Sequence, residues 1–262
     1  MKTVVCIKQV PASNDAKIDP ETKRIVREGV NAILNPFDIY ALETAVRLRE
    51  KLGGEVIAIS MGPEKALQAL KEAISVGVDR AVLLSDRAFG GSDTWATSYV
   101  LSKAISRIGE VDLVICGKQA IDGDTAQVGP GIAAHLGWQQ ATCVMALEDA
   151  AEDSVTVKRM HEDGHDVCAL EFPAVLTVLK GINVPRVPTL RGRLKAEKSD
   201  IPIWQPADIG ADAGKIGLHG SPTRVVKTQP PPQRDSATLV LTGTAQETAR
   251  KLVRELRLRS VL

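Results

Sequence analysis

The chain has 262 residues, of which 33 are Lys or Arg and 32 are Asp or Glu, and its net charge of +1 exerts no global pull on nucleic acid or on an acidic membrane surface. Hydrophobic residues make up 44% but aromatic ones only 3%, so Val, Ile, Leu and Ala must fill the core, and stacking platforms for single strands are excluded. The four cysteines, Cys6, Cys116, Cys143 and Cys168, lie far apart in apolar runs without a C-x-x-C. That argues against a zinc site or a disulfide framework and for the reduced thiols of a cytoplasmic protein.

The first residues, MKTVVCIKQVP, form too short an apolar run for a signal peptide, and no stretch reaches the roughly 18 apolar residues of a membrane span. Residues 3–7 (TVVCI) read as the first strand. Residues 17–27 (KIDPETKRIVR) place a D-P-E-T turn between two β-prone arms, which predicts a surface hairpin. Residues 36–52 carry Ile39, Leu42 and Val46 at helical spacing and stop at Gly53-Gly54. Strands follow at 55–60 (EVIAIS), 81–85 (AVLLS) and 111–116 (VDLVIC), with helices at 63–76 and 93–108 that each end just before a glycine. The alternation predicts an α/β fold, a Rossmann-like open parallel sheet of the adenine-nucleotide-binding type.

After Gly137 the pattern changes. Residues 142–147, 154–160 and 166–171 read as short antiparallel strands, an extension spanning 140–172, and 173–179 (PAVLTVL) as a last buried strand. From Lys180, prolines at 185, 188, 202, 206, 222 and 230–232 interrupt any period, and between 180 and 227 nine Lys or Arg stand against four acids. Such a stretch cannot build its own core and is either disordered or laid on something else. Residues 244–258 return to helix, with Leu252, Val253 and Leu256 as a narrow apolar stripe. The expected organisation is a nucleotide-binding domain over 1–184 and an extended arm with a C-terminal helix over 185–262. The arm either wraps a partner subunit or folds on its own domain.

Ligands of open α/β sheets sit beyond the carboxyl ends of the strands. The loops there are 8–11, 60–63 (SMGP), 85–94 (SDRAFGGSDT) and 117–127. None is a dinucleotide G-x-G-x-x-G or a phosphate loop. Two of them, at Asp93-Thr94 and Asp124-Thr125, are expected to enter helices, whose first N–H groups suit phosphate. In the second, Gly123 permits close approach, Thr125 offers a hydroxyl and a helix over 126–135 offers N–H donors. The alternative is that Asp124 merely caps that helix while Asp122 shapes the turn. His135, His161, His165 and His219 have no metal-ligand spacing, and no nucleophile signature is present. Phe89 and Trp95 could touch a ring system, although Trp95 is equally suited to packing.

The stretches VVCIKQVP, NPFDIYALETA, GKQAIDGDTAQVG and VPRVPTLRGRLKAEK resemble, in order and spacing, the small (beta) subunit of electron transfer flavoprotein over nearly the whole chain. The resemblance implies a heterodimer with a larger alpha subunit that holds a redox FAD. It implies that the beta subunit binds AMP structurally or, in the electron-bifurcating members of anaerobes, a second FAD that takes a hydride from NADH. The nucleotide contacts it implies are Cys6, Asn35, Pro36, Phe37, Asp38 and Met61, continuing through Gly117, Lys118, Gln119, Ala120, Ile121, Asp122, Gly123, Asp124, Thr125, Ala126, Gln127 and Val128. It also implies a docking leucine, Leu190, with Lys195 and Lys198 close behind, on a basic loop that latches onto acyl-CoA dehydrogenase-type flavoenzymes.

SDRAFGGSDTWATS together with DGDTAQVGP resembles the bifurcating members. Gly90 and Gly91 leave room for more than AMP, Thr94, Thr97 and Ser98 put hydroxyls at one helix start, and two helix starts offer two donor sets for a diphosphate. FAD is therefore the expected ligand, with AMP as the alternative. Electrons would pass from NADH to the alpha-bound FAD and to ferredoxin or flavodoxin, with no side-chain acid or base. FGGSDT also resembles the S-G-G-x-D-[ST] loop of ATP pyrophosphatases, but follows the third strand rather than the first. A universal-stress-like nucleotide-binding module is a further alternative.

Overall fold

A computed structural model of the chain describes residues 1–12, 32–226 and 238–262. The hairpin expected over 17–27 lies outside the described residues. They form two compact units, Met1–Arg224 and Val225–Leu262.

In the first unit, β1 (Lys2–Cys6) is followed by a small antiparallel pair, β2 (Gln9–Pro11) and β3 (Ala32–Leu34). Then come α1 (Asp38–Leu52), β4 (Glu55–Met61), α2 (Leu67–Ser75), β5 (Arg80–Leu84), α3 (Thr94–Ile108), β6 (Leu113–Gly117) and α4 (Val128–Leu136). The chain continues through β7 (Gln139–Ala150), β8 (Ser154–His161), β9 (Gly164–Glu171) and β10 (Ala174–Val178), then α5 (Leu190–Lys198), β11 (Ile203–Trp204) and the one-turn α6 (Gly217–Gly220). The main sheet has the order β11-β5-β4-β1-β6-β10-β7-β8-β9. Strands β11 to β7 in that order run parallel, and β7-β8-β9 form the antiparallel extension.

The central strands β5, β4, β1, β6 and β10 are buried on both faces, which explains their nearly continuous Val/Ile/Leu runs. Period-two alternation sorts the side chains: Val5, Ile7, Val56, Ala58, Leu113 and Ile115 meet α1 and α2, whereas Val4, Cys6, Ile57, Ile59, Val114 and Cys116 meet α3 and α4. The largest fully buried side chains are all Leu or Ile, as the low aromatic content requires. Each is worth about 1.5–3 kcal/mol of burial.

The low-periodicity stretch after Lys180 is laid on this unit. α5 packs on α2, β11 extends the sheet beside β5 with Ile203 opposite Leu83, and Ile209 and Ile216 are buried in the core facing α3. These elements span one or two turns or two strand residues, too short to show a period. Residues 190–198, read from sequence as a loop, are a helix capped by the Thr189 hydroxyl, which accepts from the Gly192 N–H at 3.0 Å.

The second unit holds α7 (Ala245–Leu258), started by a capping box in which Thr244 and Glu247 exchange hydrogen bonds. Among the described residues, no helix is long and apolar enough to cross a membrane.

Candidate functional site

The chain leaves β1 toward β4 and β5 on one side and returns to β6 and β10 on the other, so the topological switch point lies between β1 and β6. At the carboxyl ends of those strands Cys6 stands directly opposite Cys116. Both are buried, and the neighbouring Cys116 thiol together with burial pushes the Cys6 thiol well up, so it stays protonated. Met61, at the end of β4, is partly buried against the same face.

On the other face, Asp38 joins three loops. Its carboxylate accepts the Lys8 N–H at 2.7 Å, the Asn35 side-chain amide at 2.9 Å and the Gly117 N–H. Burial pushes the Asp38 carboxyl up to about 7 against the opposing pull of these donors and the Lys8 charge. Asn35 also donates to the Gln119 carbonyl at 2.9 Å and accepts the Ile121 N–H at 3.3 Å. Gly117 is required here, because a Cβ would run into Asp38 Oδ1 and Phe37. Of the sequence candidates, Asn35, Phe37, Asp38, Gly117, Gln119 and Ile121 are thus brought together, with Pro36 in the intervening turn. The Lys118 N–H is committed to the Val178 carbonyl on β10.

The turn that follows differs from expectation. Asp124 and Ala126 hold φ of 56° and 55°, a left-handed backbone that a right-handed helix cannot include, so α4 starts at Val128 rather than 126. Asp124 does not cap it. The Ala120 carbonyl accepts the Gly123 and Asp124 N–H groups, and the Asp124 carboxylate accepts from the Gln119 side chain. Asp122 forms an ion pair with Lys8 at 2.7 Å, closing the turn over the end of β1. Thr125 is exposed. The N-cap of α4 is Gln127, which makes no side-chain cap, so the first N–H groups of the helix have no side-chain partner among the described residues. The Thr94 hydroxyl reaches the Gln127 side-chain oxygen at 3.1 Å, so the starts of α3 and α4 meet.

The start of α3 is already occupied. Asp93 accepts the Ala96 N–H with one oxygen and takes both the Thr223 N–H and hydroxyl with the other. Phe89, expected at a ring system, is buried in the core facing α3. The space expected beside Gly90 and Gly91 is filled: a Cβ on Gly91 would lie 2.6 Å from Leu218, and one on Gly217 would run into the Ala88 carbonyl. The Ser98 hydroxyl turns inward to the Trp95 carbonyl at 2.9 Å, while Thr97 stays half-buried on the same helix. Trp95 packs against His135 with ring centroids 4.4 Å apart and the planes tilted by 50°.

Sequence reasoning placed Lys8 in a ligand loop without singling it out, and missed Cys116, which only strand order sets beside the crevice, and the 212–223 strap. A run of small residues, V-G-P-G at 128–131, signalled the tight start of α4. Gly129 packs on Thr177, and a Cβ on Gly131 would lie 2.5 Å from the Ser98 hydroxyl. At the proposed docking region, Leu190 is 77% exposed, whereas Lys195 folds back to donate to the Val78 carbonyl at 3.0 Å.

The family model described as "Electron transfer flavoprotein domain" matches residues 22–209. The chain is also 47% identical over 263 residues to the electron transfer flavoprotein subunit beta of Thermoanaerobacterium thermosaccharolyticum, covering 100% of both chains. The chain belongs to the electron transfer flavoprotein family. Within that family it resembles the beta subunit, and its role is electron transfer. It is 43% identical to the caffeyl-CoA reductase–Etf complex subunit CarD of Acetobacterium woodii over 100% of both chains. It is 46% identical to the protein FixA of Azorhizobium caulinodans over 92% of this chain and 88% of that one. The ATP-pyrophosphatase-like and stress-protein-like alternatives find no support in this electron transfer flavoprotein membership.

Proposed function

We propose that this chain is the beta subunit of a cytoplasmic, heterodimeric electron transfer flavoprotein and that the crevice between β1 and β6 binds FAD. The observation that carries the reading is the pairing of the Asn35–Asp38–Gly117 junction with an α4 start whose N–H groups lack a side-chain cap. Such N–H groups receive phosphate, and Gly117 lets Asp38 and Phe37 pack against the end of β6 beside them. Bound FAD would supply the redox chemistry, a hydride accepted from NADH and single electrons passed to the alpha-subunit FAD and to ferredoxin or flavodoxin. The chain's own residues bind and orient: Asn35 and Asp38 hold the crevice open, Lys8 and Asp122 tie the turn across it, and Thr94 and Gln127 bring the two helix starts together. End-to-end likeness to a subunit of a caffeyl-CoA reductase complex supports a flavoenzyme partner of the acyl-CoA dehydrogenase type, docking at Leu190.

AMP in the same crevice is the second reading. It is favoured by Asp93 capping α3 and by Leu218 filling the space at Gly91, which leave one uncapped helix start rather than two. Purifying the chain with its alpha subunit and extracting the nucleotides separates the readings. Two FAD per heterodimer and flavin reduction by NADH are expected. One FAD plus one AMP, with no response to NADH, would leave a carrier role only.

A further inference from the structure

Leu190 opens α5 between two other exposed apolar side chains, Val187 and Leu194. An exposed anchor binds well only when the free protein already holds it in place, because ordering it on contact consumes binding energy. Two built junctions hold this one. Upstream, Arg186 spreads its guanidinium over two carboxylates of α1: its Nε donates to Glu43 at 2.8 Å, and Nη1 and Nη2 donate to Glu50 at 2.6 and 2.9 Å. The Glu43 carboxylate is buried and shared with Arg47, whose Nη2 also donates to the Val184 carbonyl at 3.0 Å. Asn183 donates to the Tyr40 carbonyl at 3.0 Å and to the Thr44 hydroxyl at 2.9 Å.

Downstream, α5 lies backbone to backbone on the end of α2, since a Cβ on Gly192 would run into the Ser75 carbonyl. Lys195 donates to the Val78 carbonyl, Ala196 is buried, and Lys71 pairs with Glu197 at 2.9 Å.

We infer that Arg186 and Gly192 are positioning residues for partner docking, the first by pinning the approach to α5 onto α1 and the second by seating α5 on α2. A lysine at 186 offers a point charge where the site needs a planar fork. The inference rests on the docking role of Leu190.

The test uses heterodimers carrying Leu190→Ala, Arg186→Lys or Gly192→Ala, with an acyl-CoA dehydrogenase reduced by butyryl-CoA as the probe. Electron transfer is read with hydrogen exchange of residues 190–198. KM for the dehydrogenase should rise on the order of tenfold in all three, with kcat and bound nucleotide unchanged. The 190–198 amides should be protected in the unaltered protein and lose protection in Gly192→Ala. An unchanged KM in Leu190→Ala would remove the docking reading, and the exchange data would then judge the positioning by themselves. Unprotected 190–198 amides in the unaltered protein overturn the inference. So does a raised KM in Leu190→Ala alone, with the other two variants unchanged in both readouts.

Discussion

Asp38 is a carboxylate surrounded by N–H donors, yet burial is the larger influence and raises it to about 7 from an ordinary 3.8. With the folded value above the unfolded one, the folded protein binds the extra proton between those values. The stability tied to Asp38 is therefore fully present below pH 4, falls as pH rises through about 7 and is flat above. The shift corresponds to roughly 4 kcal/mol. In Asp38→Asn that slope disappears, so the urea midpoint of the variant should gain on that of the parent from pH 5 to pH 8. Parallel midpoints across that range would show that Asp38 does not titrate there. Asn35 and Gly117 were readable as candidates from the family stretches. Their dependence on Asp38 was not, because Gly117 lies far along the chain from the Asn35–Asp38 turn and only the folded sheet brings its N–H to the Asp38 carboxylate.

At the scale of elements, the two helix starts illustrate different uses of the same orphan N–H groups. Asp93 occupies the start of α3 and anchors the strap through Thr223, while α4 begins after two left-handed residues and is left uncapped. Asp93→Ala should lower stability by about 0.5–2 kcal/mol for the lost cap. It should also expose residues 221–224 to limited proteolysis. An unchanged urea midpoint with no new cleavage would count against the latch. The D-T dipeptide made both turns look like helix starts in the sequence. The second failed because Asp124 and Ala126 adopt left-handed backbone, a choice set by the Gln119–Ala120–Asp124 contacts rather than by local propensity.

For the whole molecule, the described buried apolar residues end at Ile216, and α7 contributes none. A chain ending at Arg224 should therefore unfold in urea at the same midpoint as the full chain, with its near-ultraviolet dichroism intact. A lowered midpoint would mean that residues beyond Arg224 support the sheet. The loss of heterodimer on the same truncation would assign those residues to the alpha subunit.

Hydrophobic period and glycine punctuation alone determined the alternating strands and helices, the parallel sheet and the antiparallel extension, because those signals are local and repeat over whole elements. The family stretches located the crevice loops. Tertiary structure decided what the loops do: Phe89 is core, the room at Gly91 is taken by Leu218, Asp93 is committed to the strap, and the stretch after Lys180 is folded on its own unit. Each depends on contacts between residues about a hundred or more positions apart or on a choice between burial and exposure. Neither leaves a period in the chain, so only the packed fold reveals them.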